Sequence, residues 1–252
     1  MEYKLPPMSI PTRVRCALAV MDYVFFGFGG LCVSIVLLIL RPFFPAKKER
    51  ELGSKTLQYS WKLMCMLLSS TWNLRLRAPQ KREMEQIRSS IIVANHPSLI
   101  DVVILTSIIP KCMLIVKPAL MRWPFLRPIL RRLCIVNNGD SSELLKHAQE
   151  AIEQGFNIII FPEGTRTTPG KKNKLHRGAF HLAIRSGAPI VPIRIDTSQP
   201  FLTKEVPWWY VGEHCPVFTL TLHEPLLARQ GEPAHPEAVR LCNETAALLG
   251  LD

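Results

Sequence analysis

The sequence predicts an α/β fold, in which a mixed, largely parallel sheet is flanked by helices and preceded by a hydrophobic N-terminal membrane helix. From about Leu76, short runs rich in Ile and Val alternate with helical stretches, which is typical of a parallel sheet. Before that point, residues 24–40 contain no charged side chain. We therefore divide the chain into a membrane-anchoring helical region, residues 1–75, and a globular domain, residues 76–252.

The hydrophobic stretch at residues 17–40 is long enough to span a bilayer, and Asp22 is its only ionised residue. A signal peptide is disfavoured, because the stretch is long for one and residues 41–45 make a poor cleavage site. Basic residues flank it on both sides, so spanning the bilayer and dipping into one leaflet both stay open. A second stretch, residues 61–72, is too short to span and predicts an interfacial helix or a helix packed on the core.

Local patterns predict the elements of the globular domain. Strands are predicted at the Ile- and Val-rich runs, residues 91–94, 113–116, 134–136, 157–161, 190–195 and 218–222. Helices are predicted at residues 97–109, 119–132, 141–154, 178–186 and 236–249. Pro124 and Pro128 interrupt the second of these helices. The third has the clearest end signals, since Asp140 or Ser141 can cap it and Gly155 can end it.

The composition is that of a folded protein with an acidic partner. Hydrophobic residues make up 48% of the chain and charged residues 20%, which excludes a disordered chain. The net charge of +11 predicts attraction to nucleic acid, an anionic membrane surface or a phosphorylated substrate. Because the basic residues are not interleaved with aromatic ones and no nucleic-acid motif is present, we expect membrane lipids and no nucleic acid as partners.

One motif that could carry chemistry, NHPSLID at residues 95–101, directly follows the strand predicted at 91–94. Active sites of open α/β sheets form at the carboxyl ends of strands. His96 in this turn can accept a proton from a substrate, and Asp101 can hydrogen-bond its Nδ1 and leave Nε2 as the base. The same spacing also fits a helix cap in which Asp101 serves only the helix N-terminus, and spacing alone leaves both open.

A second motif, FPEGTR at residues 161–166, ends another predicted strand. Gly164 allows a tight turn, Glu163 can accept hydrogen bonds from hydroxyls or hold Arg166, and Arg166 can bind a phosphate in bidentate fashion. The loop that follows is strongly positive, with Lys171, Lys172, Lys174 and Arg177. A solvated turn with an exposed ion pair is the alternative interpretation.

The two motifs together resemble the 1-acylglycerol-3-phosphate acyltransferase family, one of the glycerolipid acyltransferases that share an NHxxxxD motif. Both signatures are complete here, and a further family block with a central proline resembles residues 188–193, which read APIVPI. The resemblance covers roughly residues 76–200. It implies a glycerolipid-acyltransferase-like fold, and a 1-acylglycerol-3-phosphate O-acyltransferase-like enzyme in the domain at residues 76–252.

The resemblance also implies a mechanism without cofactor or metal. His96, oriented by Asp101, would take the proton from the free hydroxyl of a lysophospholipid, most simply 1-acylglycerol-3-phosphate. That oxygen would attack the thioester of acyl-CoA or acyl carrier protein and give phosphatidate. The expected substrate-binding residues are Glu163, Gly164, Thr165, Arg166, Asn138 and Lys171.

Asn138 marks a departure from the family, which carries an arginine shortly after a strand between the two signatures. Asn can hydrogen-bond but has no charge, so Arg131, Arg132 or the lysines after Arg166 are candidates to compensate. Two alternatives therefore stay open: the same chemistry on an aminolipid or glycolipid, and a lipid-binding membrane protein without catalysis. We expect a membrane location, the inner membrane in a bacterium, with the catalytic domain facing the cytoplasm where thioester donors are made.

Overall fold

The structure is a computed structural model that describes residues 10–40, 46–122, 127–139, 141–167 and 173–251. Its helices are α1 (Thr12–Leu40), α2 (Ala46–Ser70), α3 (Lys81–Gln86), α4 (Asp101–Ile108), a 3-10 helix (Pro118–Arg122), α5 (Arg127–Leu133), α6 (Ser141–Glu153), α7 (Gly178–Ser186) and α8 (Ala234–Leu249). Its strands are β1 (Arg75–Arg77), β2 (Ile91–Ala94), β3 (Cys112–Val116), β4 (Cys134–Val136), β5 (Asn157–Ile160), β6 (Ile190–Thr197) and β7 (Val217–Leu222).

The strands form one sheet in the order β1-β7-β6-β2-β5-β3-β4. Its neighbouring strands are parallel except β6 and β7, which pair antiparallel. The mixed, largely parallel sheet flanked by helices is therefore confirmed. Strands β2 and β5 lie side by side at its centre, with Val93 opposite Ile160. Their carboxyl ends consequently open at the same edge of the sheet.

Alternation along the central strands separates two hydrophobic layers, because successive side chains of a strand point to opposite faces. Ile92 and Ala94 of β2 face a layer that includes buried side chains of α1, α2 and α4. Ile91 and Val93 face the other layer, which includes buried side chains of α6, α7 and α8. The sheet is thus covered on both faces, as a largely parallel sheet requires.

The N-terminal helices lie on the first of these faces. Among the described residues, one helical segment, Thr12–Cys32, is long and apolar enough to cross a membrane, and only 17% of its most hydrophobic window is buried. Its first turns are docked on the domain: the buried Arg15 donates to the carbonyl of His214 at 2.9 Å, and Asp22 accepts from the Thr71 hydroxyl at 2.7 Å. A membrane-anchoring region at residues 1–75 stays a proposal, and the sheet already begins at Arg75.

The predicted strand at 91–94, strand at 134–136 and helix at 178–186 are confirmed residue for residue. The helix predicted from residue 97 begins only at Asp101, because residues 97–100 form a turn around the Asp101 side chain. The stretch at 119–132 divides into the 3-10 helix and α5, and Pro124 lies outside the described residues. Asp140, one of the two expected caps of α6, also lies outside them.

Elements β1 and α3 have no counterpart among the predicted elements, and α2 is much longer than the predicted stretch at residues 61–72. β1 is three residues long with alternating Arg and Leu, and α3 is six mostly charged residues, so neither has a clear hydrophobic pattern. α2 begins at Ala46 rather than near residue 61, because its first half is polar and lies outside the hydrophobic stretch. Helix α2 packs against α4, which carries Asp101 on its first turn.

Candidate active site

The two sequence motifs meet at the edge where β2 and β5 end. Asn95 continues β2 by bonding β6 through its side chain, which donates to the carbonyl of Ile195 and accepts from its N–H, both at 2.7 Å. The strand therefore ends in a fixed position, and His96 follows in the turn above the sheet. FPEGTR leaves β5 next to it, so residues 67 or more apart in sequence come into contact.

His96 and Asp101 form the central pair of the site. Nδ1 of His96 lies 2.9 Å from Oδ2 of Asp101, and the N–H of Ser98 donates to the same oxygen at 2.7 Å. Because a carboxylate only accepts, Nδ1 carries the proton and Nε2 is left with a free lone pair. The Asp101 side chain is fully buried, whereas the His96 side chain keeps 14% of its surface exposed. The predicted hydrogen bond from His96 to Asp101 is therefore present.

Burial dominates the electrostatics of Asp101. It raises the pKa of the Asp101 carboxyl above its usual range, and the hydrogen bonds from His96 and Ser98 oppose that rise because they favour the ionised form. Its Oδ1 atom is buried and has no hydrogen-bond partner among the described residues. This carboxylate is thus held at a cost in solvation, in a position where it can stabilise a positive imidazolium.

The His96 ring is fixed from a second side by Phe161, the first residue of FPEGTR. The two rings stack with their centroids 4.1 Å apart and their planes 21° apart. The hydroxyl of Ser98 is likewise committed, since it donates to the carbonyl of Phe201. Ser98 is therefore a structural anchor of the turn, and the N–H of Leu99 adds a bond to the carbonyl of Leu202 at 3.1 Å.

Glu163 is buried at 4% exposure, and both of its carboxylate oxygens are occupied by protein donors. Oε1 accepts from the N–H of His96 at 3.2 Å and from the hydroxyl of Thr167. Oε2 accepts from the side-chain amide of Asn173 at 2.7 Å. These contacts favour a role in building the site, and the sequence-based expectation that Glu163 binds substrate stays a prediction.

The remaining residues of FPEGTR include the turn at Gly164 and the cation Arg166. Gly164 has φ of +63°, and a Cβ atom there would come 3.2 Å from the ring of His176, so the position favours glycine. Arg166 donates through Nη1 to the carbonyls of Leu202 and Thr203 at 2.8 and 2.9 Å. Arg166 therefore holds the segment after β6 against FPEGTR.

Lys204 on that segment donates to the hydroxyl of Thr165, which places a second cation near Arg166. The sequence pattern did not indicate Lys204, because it follows β6 and lies 39 positions after Thr165. Thr167 and Asn173 were missed in the same way, although both stand just outside the recognised signature. The contacts of these residues with the site follow from the fold and not from their positions in the sequence.

Two of the expected binding residues, Asn138 and Lys171, are not among the described residues that the structure brings into contact with His96 or FPEGTR. Asn138 follows β4, the edge strand of the sheet, and its amide donates to Glu143 in the first turn of α6 at 2.9 Å. None of its recorded hydrogen bonds reaches His96 or FPEGTR. Lys171 lies outside the described residues. The described part of the chain also contains no group of three His, Cys, Asp or Glu side chains suited to a metal ion.

An apolar groove of about 250 Å³ opens beside the NHPSLID turn. It lies between α1, α2, the start of α4 and the segment after β6, and its wall is aromatic and aliphatic. The lining residues are Tyr23, Phe26, Trp61, Met64, Leu99, Ile100, Val103, Leu202 and Trp208. Since Leu99 and Ile100 stand between His96 and Asp101 in sequence, the groove and the polar pair share one turn.

Comparison with known proteins finds relatives over the region that holds both motifs. The family model described as Acyltransferase matches residues 75–196, which include both motifs. Human 1-acyl-sn-glycerol-3-phosphate acyltransferase beta is 30% identical over 132 residues, which are 48% of this chain and 46% of that protein. The human alpha enzyme is 28% identical over 152 residues, which are 57% and 53% of the two chains. The chain thus spans about half the length of the curated relatives it matches.

The crystal structure of the 1-acyl-sn-glycerophosphate acyltransferase from Thermotoga maritima has the same fold. It superposes with a TM-score of 0.74 over 95% of both chains, at 22% sequence identity. That coverage includes the N-terminal helices as well as the sheet.

Proposed function

We propose that this chain is a member of the 1-acylglycerol-3-phosphate acyltransferase family and transfers a fatty acyl group from an acyl thioester to the free hydroxyl of a lysophospholipid. The observation that carries the proposal is the hydrogen bond between His96 Nδ1 and the buried Asp101 carboxylate. It leaves Nε2 as a base at the carboxyl end of a central strand, on an imidazole that is both oriented and partly exposed.

In the proposed reaction, Nε2 of His96 takes the proton from the acceptor hydroxyl. The oxygen attacks the thioester carbonyl, the new ester bond forms, and the carbon–sulfur bond breaks. The departing thiolate then takes the proton from the imidazolium, so His96 returns to its starting state. Asp101 stabilises the imidazolium in between. Direct transfer is supported by Ser98, whose hydroxyl is committed to a main-chain carbonyl and is thus not an activated nucleophile.

The surroundings of His96 support the two ends of a lysophospholipid. Arg166 is bonded to the segment after β6 and Lys204 to Thr165, and their cations suit an anionic head group such as the phosphate of 1-acylglycerol-3-phosphate. The apolar groove, which Val103 and Leu202 line, suits an acyl chain. We propose acyl-CoA or acyl carrier protein as the donor and no cofactor.

The protein is proposed to work at a membrane, anchored through α1, with its catalytic domain on the cytoplasmic side. The exposed face of α1 carries large apolar side chains at helical spacing, which are Met21, Val24, Phe25, Phe28, Leu31, Ile35 and Ile39. Such a face would be costly in water and favourable in lipid.

The decisive experiment offers the purified protein in vesicles a panel of lysolipids, with labelled acyl-CoA or labelled acyl carrier protein as donor. The expected product is phosphatidate from 1-acylglycerol-3-phosphate, identified by mass spectrometry. Acylation of an aminolipid or glycolipid, but not of 1-acylglycerol-3-phosphate, would support the alternative acceptor that Asn138 suggests. Absence of acyl transfer from every donor would contradict the proposal.

Lys204→Ala sharpens the choice of acceptor. The KM for 1-acylglycerol-3-phosphate should rise by about tenfold, as expected for one lost charge-assisted hydrogen bond, and the KM for the donor should not change. Lys146→Ala, an exposed lysine on α6, is the matched control. An equal rise for an uncharged lysolipid would show that Lys204 does not read the phosphate.

A further inference from the structure

The main chain of His96 is hydrogen-bonded by Thr167, a residue that lies outside both motifs. The N–H of Thr167 donates to the His96 carbonyl at 2.6 Å, and the N–H of His96 donates to the Thr167 hydroxyl oxygen at 3.0 Å. One residue therefore holds both polar groups of the His96 main chain, across a sequence separation of 71 residues. Strand pairing between β2 and β5 has already ended at Val93 and Ile160, so this contact is separate from the sheet.

The Thr167 hydroxyl is itself oriented by Glu163. It accepts from the His96 N–H and donates its proton to Oε1, so both of its hydrogen-bonding directions are used. Oε1 also accepts directly from the His96 N–H, and Asn173 holds Oε2 from the opposite side. Three neutral donors thus stabilise a buried carboxylate whose charge would otherwise be costly.

The remaining contacts on His96 act on its ring. Asp101 fixes Nδ1, and Phe161 covers one ring face. These contacts set the ring relative to the turn.

Asn95 on one side of His96 and Ser98 and Leu99 on the other anchor the ends of the turn. Thr167 adds bonds at the His96 main chain itself, which set the position of its Cα and of every atom beyond it.

We propose that Thr167 is a positioning residue that fixes the His96 main chain so that Nε2 meets the acceptor hydroxyl at reacting distance, with Glu163 and Asn173 orienting the Thr167 hydroxyl. The proposal rests on His96 being the base of the proposed function. Base and substrate must be held within about 0.5 Å of the productive geometry, and a displacement of about 1 Å costs about a hundredfold in rate. Thr167 does not touch the reacting atoms in this arrangement; it acts through His96.

The position lends itself to a clean test, because Thr167 is partly exposed and belongs to neither hydrophobic layer. Thr167→Val keeps the shape and the main-chain N–H but removes the hydroxyl. Thr167→Ser restores a hydroxyl without the methyl group. Thr221→Val makes the same chemical change at an exposed position of β7 and is the matched control.

For Thr167→Val we expect kcat to fall by about 10- to 100-fold, with the KM of both substrates within about twofold of wild type. The Tm should fall by only a few degrees, because Glu163 loses one of its three donors. Thr167→Ser should regain most of kcat, and Thr221→Val should match wild type. Asn173→Ala, which loosens Glu163 without changing Thr167, should lower kcat by a smaller factor with KM again unchanged. It also serves as the test should Thr167→Val fail to fold.

Wild-type kcat in Thr167→Val, or a loss that Thr167→Ser does not restore, overturns the proposal. So does wild-type kcat in Asn173→Ala if Thr167→Val is unfolded. His96→Ala is assayed alongside, since it separates the two levels of inference. If His96→Ala is inactive while Thr167→Val is fully active, only the positioning role fails. If His96→Ala is active, the proposed function's base is wrong as well.

Discussion

The polar turn that holds His96 and the apolar groove that borders it share residues 99 and 100, yet they are built in opposite ways. In the turn, polar atoms around the imidazole are paired with specific partners at hydrogen-bond distance. In the groove, aromatic and aliphatic surfaces meet without directional contacts. Removing one atom from the turn should therefore lower activity strongly. Changes in the groove should alter activity in proportion to the volume and area that they add or remove.

The first way to break this comparison is to remove the imidazole. His96→Ala should lower turnover by about a thousandfold or more, because the proposed general base is lost while both substrates should still bind. Steady-state kinetics in vesicles measures the change, and His147→Ala on the exposed face of α6 is the control. Membrane association and Tm should stay close to wild type. Normal turnover in His96→Ala would remove the basis for treating the turn as the reactive half of the site.

The second test fills the groove. Val103→Phe should shift acyl-chain preference toward shorter chains, since each methylene kept out of an apolar site costs about 0.8 kcal/mol. Exclusion of two methylenes would lower kcat/KM for the longer chain by about tenfold relative to the shorter one. Competition between labelled chains of different length gives the ratio directly.

Leu227→Phe is the control for the groove variant, because Leu227 is exposed and its neighbours belong to the opposite layer of the sheet. It should leave chain preference unchanged. If Val103→Phe lowers the rate equally for all chain lengths, the groove does not hold the acyl chain and the contrast with the turn loses its functional meaning.

The same contrast explains what the sequence could and could not predict. The sheet was predictable, because runs such as residues 91–94 are hydrophobic at every position and stand between clear turn signals. His96 and Asp101 were predictable from their spacing together with the second motif. Their geometry depends on residues five positions apart and one turn, so local chemistry determines it.

Residues that reach the site from a distance were not predictable. Thr167, Asn173 and Lys204 belong to segments without periodicity, and only the fold brings them beside His96 or Arg166. Asn138 illustrates the reverse case. Its position between the two motifs predicts a binding residue, and the structure shows it at the end of β4, two strands from β5, with its amide bonded to Glu143. Sequence distance from a motif therefore carries little information about distance from the site.

A third test concerns the apolar half where it meets the bilayer. Trp208 and Trp209 are 59% and 48% exposed at the tip of a turn, and the Trp208 ring lies 6.2 Å from Tyr23 of α1. Replacing both tryptophans by Ser should weaken partitioning into anionic vesicles by about three- to tenfold, because indole rings favour the membrane interface. Vesicle sedimentation gives the partition coefficient, and Leu227→Ser is the control on the other face.

Unchanged partitioning of the Trp208/Trp209 variant would show that α1 alone holds the protein at the membrane. Lipid would then have to reach the groove at a position above the membrane surface. A loss of turnover without a loss of partitioning would instead assign the two rings to the groove itself, since Trp208 lines it.

The smallest expected effect returns to the turn and concerns stability. Asp101→Asn should abolish most activity. The stability of the variant minus that of wild type should nevertheless increase as pH rises from about 4 to about 7.5. Burial raises the pKa of the Asp101 carboxyl in the folded protein above that in the unfolded chain. Wild-type stability therefore falls as pH rises through the raised value, whereas Asn cannot ionise and escapes that loss. Each kcal/mol corresponds to about 2–4 °C in Tm for a chain of this size.

Thermal unfolding of both proteins at the two pH values measures the difference. The Tm of Asp101→Asn minus that of wild type should be larger at the higher pH, whatever its absolute sign. That sign also depends on how the buried amide is accommodated at the position of Oδ1, which has no partner among the described residues. A gap that stays constant or shrinks toward neutral pH would mean that Asp101 is ionised at no cost. The buried charge of Asp101 would then cost the turn no stability, and the turn and the groove would not differ in this respect.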